Sequence, residues 1–148
     1  MGCKLSLSDV NMSGLEETKQ ICLKNGVNAD KICIFYCDVS QRESVHEAAA
    51  LARTANGVVT LLINNAGIVS GKSTLELSDQ MIDKTMQVNT ISHLTTIREF
   101  LPDMIATKKG HIVTIASMAG LAATPGLSDY SASKFGAVAI DEAVRVEL

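Results

Sequence analysis

The sequence contains no tryptophan and only two prolines, and its aromatic side chains are limited to two Tyr and three Phe. Lys and Arg number 13 against 16 acidic residues, which gives a formal net charge of -3. Because phosphate binding needs a basic stripe, we expect no nucleic-acid partner. The longest apolar runs, such as residues 58–63, fall far short of the roughly 20 residues that cross a bilayer, so no membrane span is expected within these residues.

Cysteine is present without the spacing of a metal or disulfide framework. No C-x-x-C pair occurs, and the histidines are scattered without ligand spacing. The residues concerned are Cys3, Cys22, Cys33, Cys37, His46, His93 and His111. We therefore expect no metal site and four small buried thiols in a reducing compartment. No signal-peptide pattern opens the chain, which favours an intracellular protein.

Apolar strands alternate with amphipathic helices along the whole chain. Strands are predicted at residues 4–8, 31–37, 58–63 and 110–116. Strands that are apolar throughout, separated by helices, indicate a parallel sheet covered on both faces. With no repeat and no linker visible, residues 1–148 are predicted to form one domain, a doubly wound α/β fold.

The helix boundaries are predicted from local signals. Two S-x-x-E capping boxes, Ser13 with Glu16 and Ser40 with Glu43, predict the starts of the first two helices. Residues 78–107 have helical spacing and contain Pro102, which predicts a kink. The last helix is predicted over residues 128–148.

Ligands of doubly wound sheets bind beyond the carboxyl ends of the strands, so these ends are the candidate site. The first two predicted strands lead into Asp9 and Asp38. Each carboxylate either accepts hydrogen bonds from a nucleoside or simply begins a turn. The third strand runs into Asn64-Asn-Ala-Gly67, where small residues let a ligand approach the backbone.

The fourth strand leads into Ser117, and Tyr130 and Lys134 follow four residues apart in the last helix. That spacing places the phenol and the ammonium on one helical face, where the cation favours the phenolate. Tyr130 can then exchange a proton with a substrate oxygen to which Ser117 is hydrogen-bonded. A serine hydrolase is disfavoured, because the G-x-S-x-G elbow is missing around Ser117.

A phosphate loop is a competing hypothesis. Residues 66–73, AGIVSGKS, nearly match G-x-x-x-x-G-K-[ST] and follow a predicted strand, which is the context of a nucleotide triphosphatase. The leading glycine is replaced by Ala66, and the helical pattern begins only near Ser78. No later strand ends in the Asp that helps to hold magnesium, so this reading is the weaker one.

Taken in order, Asn64-Asn-Ala-Gly67, Asn89, Ser117 and Tyr130-Ser-Ala-Ser-Lys134 resemble the short-chain dehydrogenase/reductase family over nearly the whole chain. The resemblance implies that Tyr130 is the general acid/base and that Lys134 favours its phenolate and holds the nicotinamide ribose. It also implies that Ser117 positions the reacting oxygen and that Asn89 holds a water of the proton relay. The cofactor-binding residues implied in addition are Asp9, which favours NAD over NADP, and Asp38, Val39, Asn65, Ala66 and Gly67.

Residues 110–120 and 129–138 resemble most closely the branch of retinol and hydroxysteroid dehydrogenases. This implies NAD-dependent oxidation of a lipophilic alcohol, such as a retinoid, steroid or long-chain alcohol, or reduction of the corresponding ketone or aldehyde. It further implies a homodimer formed through helices 78–107 and 128–148. The location expected is cytoplasmic for these residues, and the endoplasmic reticulum or a lipid droplet where a longer parent carries an N-terminal anchor.

The sequence departs from the family pattern at both ends. The family begins with a strand and a T-G-x-x-x-G-x-G turn that binds the pyrophosphate, and the glycines at 2, 14 and 26 cannot supply that spacing. The family also continues beyond the position of Leu148. We therefore expect an incomplete domain that is marginally stable and binds NAD weakly, if at all. The alternative function is an inactive product that acts as an interaction or dimerisation module.

Overall fold

Strands and helices alternate along residues 2–148, the part of the chain that this computed structural model describes. The strands are β1 (Leu5–Asp9), β2 (Ile32–Tyr36), β3 (Leu61–Asn64) and β4 (His111–Thr114). The α-helices are α1 (Met12–Lys24), α2 (Arg42–Asn56), α3 (Asp79–Met86), α4 (Ser92–Thr107) and α5 (Ser128–Glu147). Each predicted strand and helix is found, and the fold is α/β with parallel strands, as predicted.

The four strands form two parallel pairs. β1 pairs with β2 from Leu5 opposite Ile32 onwards, and β3 pairs with β4 from Leu61 opposite His111 onwards. This is the incomplete, doubly wound parallel fold that the sequence predicts, with its strands in two separate pairs within residues 2–148. β1 and β3 share no ladder, and no described strand pairs with their free edges. The expected cover on both faces is therefore incomplete, and Ile63 of β3 is 53% exposed.

Helices cover each strand pair and build two apolar clusters. α1 and α2 pack against β1 and β2, whereas α4 and α5 pack against β3 and β4. The first cluster is formed by Cys37, Val45 and Ala48. The second is centred on Leu62, Ile97 and Met104, with residues of β4 and α5 packed around them. The buried residues of α2, which are Val45, Ala48, Ala49 and Ala52, recur at helical spacing and form the face that packs on the strands.

The two halves are joined through α2 and α4. Arg53 Nε of α2 donates a 2.8 Å hydrogen bond to Asp103 Oδ2 of α4, and the guanidinium lies 5.5 Å from the centroid of the Phe100 ring. Arg53 also donates to the main-chain oxygen of Glu99. A planar guanidinium suits this combination of a carboxylate, a carbonyl and an aromatic face.

Both predicted capping boxes are wrong. Asn11 caps α1, accepting a 3.1 Å hydrogen bond from Gly14 N, so Ser13 already lies inside the helix. At α2 the residue before the helix is Gln41, whose side chain makes no capping bond. Ser40 is unavailable as a cap because its hydroxyl donates to Asp38 at 2.6 Å.

The predicted helix over residues 78–107 is confirmed as one helical run with an inserted π-helical segment, Gln87–Ile91, between α3 and α4. Ser78 caps α3, accepting a hydrogen bond from Met81 N, and α4 continues through Pro102. A π segment is a frequent feature of functional sites, because the extra residue redirects the side chains on one face.

The four cysteines are free, but only Cys37 is buried, while Cys22 and Cys33 are half-buried and Cys3 is exposed. The expectation of four buried thiols is therefore confirmed for Cys37 and wrong for the other three. Cys3 lies before β1, outside both apolar clusters. None of the helices in residues 2–148 has both the length and the apolarity that a bilayer crossing requires.

Candidate active site

The predicted site residues lie where the four strands end. Asp9 is the last residue of β1, and Asp38 follows β2 by two residues. Asn64 ends β3, and Ser117 follows β4 by three residues. The first turns of α5 lie near the carboxyl end of β4, because Lys134 bonds to Ile115 and Gly120 packs on Lys134.

The side chain of Asn89 fixes the loop that follows β3. Asn89 is fully buried in the π-helical segment. Its Oδ1 accepts a 2.8 Å hydrogen bond from Ile68 N, and its Nδ2 donates to Ile68 O at 2.8 Å. Nδ2 also donates to Ser133 Oγ at 3.0 Å, so both amide hydrogens are used. The loop is thereby tied to α3–α4 and to α5 at once.

Lys134 is a buried cation, 3% exposed, at the edge of the site. Its Nζ donates a 2.8 Å hydrogen bond to Ile115 O and lies 5.8 Å from the centroid of the Tyr130 ring. A Cβ added to Gly67 would lie 3.5 Å from Nζ, so the loop after β3 passes close to the ammonium. An ammonium has three protons, and only one has an acceptor among the described residues. Two donors are left for a ligand.

Tyr130 and Ser117 face the site without bonding to each other. Tyr130 is half-buried in the first turn of α5, and its hydroxyl has no partner within residues 2–148. Ser117 Oγ accepts a 3.1 Å hydrogen bond from Ala119 N, which leaves the hydroxyl proton of Ser117 to donate elsewhere. The segment after β4 packs tightly on α5, because a Cβ on Gly120 would lie 2.8 Å from Lys134 O.

Asp38 is a charged group held in a fixed geometry. Its Oδ1 accepts hydrogen bonds from Ser40 N at 2.9 Å and Ser40 Oγ at 2.6 Å. Its Oδ2 lies 3.3 Å from Lys84 Nζ of α3. The Ser40 hydrogen bonds, and to a smaller degree Lys84, hold the pKa of the Asp38 carboxyl below its usual range. Val39 packs against the Cys37 cluster, beside this carboxylate.

The other predicted cofactor residues are more exposed. Asp9 Oδ1 accepts a 2.9 Å hydrogen bond from Asn11 N and so begins the turn into α1, while Oδ2 has no protein partner in the described chain. Asn65 and Gly67 are exposed and Ala66 is half-buried along the loop after β3. Asn64 is buried, and its Oδ1 accepts from Thr96 Oγ1 at 2.7 Å.

The residues that resemble a phosphate loop do not have the geometry of one. Ser73 donates its hydroxyl to Glu76 Oε2 at 2.5 Å and caps a single 3₁₀ turn, Thr74–Glu76. The next α-helix, α3, begins only at Asp79. A phosphate loop needs backbone amides of a longer helix aimed at the ligand, which this turn does not supply.

Sequence reasoning missed two residues that hold the site together. Ser133 donates to Tyr130 O at 2.7 Å and accepts from Asn89, and Asp129 accepts from Ser70 Oγ at 2.6 Å. A signal was present in the sequence: Asp129, Ser133 and Gly136 recur at i, i+4 and i+7, so small and polar residues mark the face of α5 that packs on α3–α4.

A family model for short chain dehydrogenases matches residues 1–148. The chain belongs to the short chain dehydrogenase family. The fold is a part of the family's Rossmann fold.

Curated relatives and solved structures agree with this assignment. The chain is 44% identical over 147 residues to human epidermal retinol dehydrogenase 2, covering 99% of this chain and 47% of the human protein. It is 41% identical over 148 residues to mouse estradiol 17-beta-dehydrogenase 11, covering 100% of this chain and 49% of the mouse protein. The chain thus spans about half the length of these curated relatives. A Burkholderia phymatum short chain dehydrogenase/reductase in complex with NAD superposes with a TM-score of 0.92 at 33% identity, covering 98% of this chain and 51% of that one.

Proposed function

We propose that this chain carries the catalytic centre of an oxidoreductase that transfers a hydride between NAD and a lipophilic alcohol or its carbonyl product. The observation that carries the proposal is that Lys134 Nζ, a buried ammonium with two donors unspent, lies 5.8 Å from the centroid of the Tyr130 ring, while the segment that follows Ser117 packs on α5 at Lys134. General acid/base chemistry on a substrate oxygen needs these groups within reach of one another.

In this proposal Tyr130 moves the proton and its neighbours support it. The Tyr130 phenolate takes the proton from the substrate alcohol in the oxidation, and the phenol so formed returns it in the reduction. Lys134 favours the phenolate form by its positive charge. Ser117 donates its free proton to the same substrate oxygen and so orients it. Asn89 fixes the Ile68 loop and holds the water of a proton relay.

The residues present fit NAD at several points. The two unspent donors of Lys134 suit the nicotinamide ribose hydroxyls, and the missing side chain of Gly67 leaves room beside them. Asp38 with Val39 would border the adenine, Asn65 and Ala66 would line the cleft, and the free oxygen of Asp9 would accept from the adenosine ribose and repel a 2′-phosphate. When bound, NAD supplies the hydride acceptor. The NAD complex of the Burkholderia phymatum relative supports this choice of cofactor.

A lipophilic substrate is favoured by the surroundings of Ser117. Met118 and Leu121, directly after Ser117, are 76% and 67% exposed, and Val69 of the loop after β3 is 58% exposed. Exposed apolar side chains near a site indicate an apolar ligand surface. The names of the relatives, retinol dehydrogenase and estradiol dehydrogenase, support a retinoid, steroid or long-chain alcohol.

The test is oxidation of retinol, estradiol and a long-chain alcohol with NAD, followed by the absorbance of the reduced nicotinamide. Tyr130→Phe is expected to abolish turnover, because the ring remains and only the proton-transferring hydroxyl is lost. Tyr36→Phe is the matched control, since Tyr36 lies 56% exposed at the end of β2. Equal turnover in both variants would overturn the proposal.

We also propose that the chain forms a homodimer through α4 and α5, the helices that the family resemblance indicates. Leu94 and Ile105 of α4 are 42% and 56% exposed, and Val146 of α5 is 79% exposed. The same face would serve the alternative function, an inactive interaction module. Sedimentation of the wild-type chain and of Ile105→Glu tests the dimer: a monomeric wild type would contradict it. Dimerisation without turnover would favour the module.

A further inference from the structure

Asp129 is a buried carboxylate that the proposed chemistry does not use. It precedes Tyr130 in the first turn of α5 and is 6% exposed. Its Oδ2 accepts hydrogen bonds from Ser70 Oγ at 2.6 Å and from Thr85 Oγ1 at 3.0 Å. Its Oδ1 is buried and has no partner within residues 2–148.

The two donors come from the segments that carry the rest of the site. Ser70 follows Ile68 by two residues, in the loop that Asn89 clamps. Thr85 is 1% exposed near the end of α3, two residues before the π-helical segment. One carboxylate oxygen therefore joins the loop after β3, the helix that leads to Asn89 and the turn that carries Tyr130.

Besides the bond from Ser70 to Asp129, a second hydrogen bond joins the loop after β3 to the start of α5. Thr74 Oγ1 donates to Ser128 Oγ at 2.9 Å, but this pair is exposed. A hydrogen bond between two exposed hydroxyls competes with water and contributes little stability, whereas a buried hydrogen bond to a charged group contributes more. The Asp129 contacts thus fix the loop at Ser70, two residues beyond the Asn89 clamp at Ile68.

Asp129 remains ionised in this setting. Burial raises the pKa of its carboxyl, but the hydrogen bonds from Ser70 and Thr85, together with main-chain amides at the start of α5, lower it below its usual range. Burying a charge is costly unless hydrogen bonds compensate it, so the three-way junction depends on both donors being in place.

We propose that Asp129 is a positioning residue for the reaction: it fixes the loop that carries Gly67 and Ile68 against the first turn of α5, and thereby sets where Tyr130 stands relative to the cofactor-binding loop. This inference rests on the proposed function for its catalytic consequence. The docking of the loop by Asp129 is tested by hydrogen exchange, which does not depend on turnover.

The test compares Asp129→Ala, Asp129→Asn and Asp79→Ala. Asp79 is the matched control, because it is an exposed acid in the first turn of α3. Asp129→Ala is expected to raise amide hydrogen exchange at Ile68 by about tenfold, as the released loop opens more often. It is expected to lower kcat by about 10- to 100-fold with the alcohol KM changed less than about twofold, since misplaced reacting groups slow the chemical step.

Asp129→Asn keeps an oxygen that accepts from Ser70 and Thr85, and is expected to restore most of kcat and of the Ile68 protection. If Asp129→Ala acted only by lowering stability, the kcat of its folded fraction would equal that of Asp129→Asn. If Asp129→Ala fails to fold, Ser70→Ala and Thr85→Val each remove one donor and are expected to show the same changes at smaller size.

The inference is overturned if Asp129→Ala matches Asp79→Ala in Ile68 exchange, or if Asp129→Asn is as slow as Asp129→Ala. Failure of the proposed function has a different signature. In that case no variant, including wild type, turns over an alcohol, while Ile68 exchange still responds to Asp129→Ala and the docking role stands.

Discussion

Lys134 and Tyr130 lie one helical turn apart on α5, with Nζ 5.8 Å from the centroid of the phenol ring. The same Nζ donates a 2.8 Å hydrogen bond to Ile115 O, at the end of β4. The carbonyl therefore holds the ammonium in place beside the phenol. This geometry makes Lys134 both an electrostatic partner of Tyr130 and a donor with capacity left for a ligand.

Replacing Lys134 by Met removes the charge and keeps most of the length of the side chain. We expect kcat/KM to fall about 100-fold or more, because the phenolate loses its cation and the ligand its donors. Steady-state kinetics with NAD and the best alcohol measure the effect. Lys72→Met is the control, since Lys72 lies exposed in the loop after β3. Loss of activity in the control but not in Lys134→Met would contradict the assignment and favour a phosphate-loop function.

Asn89→Ala is expected to destabilise the chain by about 2–4 kcal/mol, because three hydrogen bonds of a fully buried side chain are lost, two of them to the main chain of Ile68. Urea unfolding measures the change. Asn25→Ala is the control: Asn25 is exposed and makes one side-chain hydrogen bond, to Ile21 O, so its loss is expected to cost less than about 1 kcal/mol. Equal costs for the two variants would argue against the clamp.

Gly120→Ala is expected to destabilise the fold and weaken the site together. The new Cβ would lie 2.8 Å from Lys134 O and 3.0 Å from Lys134 C, which are main-chain atoms inside α5 and cannot move cheaply. A cost of about 1–3 kcal/mol is expected for such overpacking. Urea unfolding and NADH binding would be measured on the same sample. A variant with unchanged stability and binding would show that α5 does not pack as described.

His93 makes the stability of the chain depend on pH, starting at a higher pH than the titration of carboxylates. Burial lowers the pKa of His93 from 6.5 to about 4, with Lys134 acting in the same direction and Asp141 against it. The unfolded chain therefore binds a proton that the folded chain excludes. Stability is expected to be lost as pH falls from about 6.5 to about 4, by roughly 3 kcal/mol.

Urea unfolding at several pH values tests this expectation. His93→Gln should remove most of the slope between pH 6.5 and 4, while His111→Gln, an exposed control at the start of β4, should leave it. The lowered pKa values of Asp38 and Asp129 add a further loss at lower pH, as the carboxyls of the unfolded chain take up protons that the folded chain excludes. An unchanged slope in His93→Gln would contradict the assignment.

The alternation of strands and helices was predictable, because runs such as residues 32–36 are apolar and α2 repeats its apolar residues at helical spacing. The positions of Tyr130, Lys134 and Ser117 were predictable for the same reason, since strand ends and helix phase follow from that pattern. The starts of α1 and α2 were not predictable: Asn11 and Ser40 each had several partners within reach, and tertiary contacts chose between them.

Hydrogen bonds between residues far apart in the sequence could not be predicted. The clamp of Asn89 on Ile68 joins residues 21 apart, and the contact of Thr85 with Asp129 joins residues 44 apart. No local pattern encodes such pairs. The separation of the strands into two pairs was also hidden, because periodicity shows which residues form a strand and not which strand lies beside it.

The most direct test of the central claim is a titration of the purified chain with NADH, following nicotinamide fluorescence, with NAD and Mg-ATP as competitors. The chain contains no tryptophan, so no indole signal overlaps. We expect saturable, weak binding that NAD displaces and that Lys134→Met abolishes. Absence of saturable binding, or displacement by Mg-ATP alone, would contradict it.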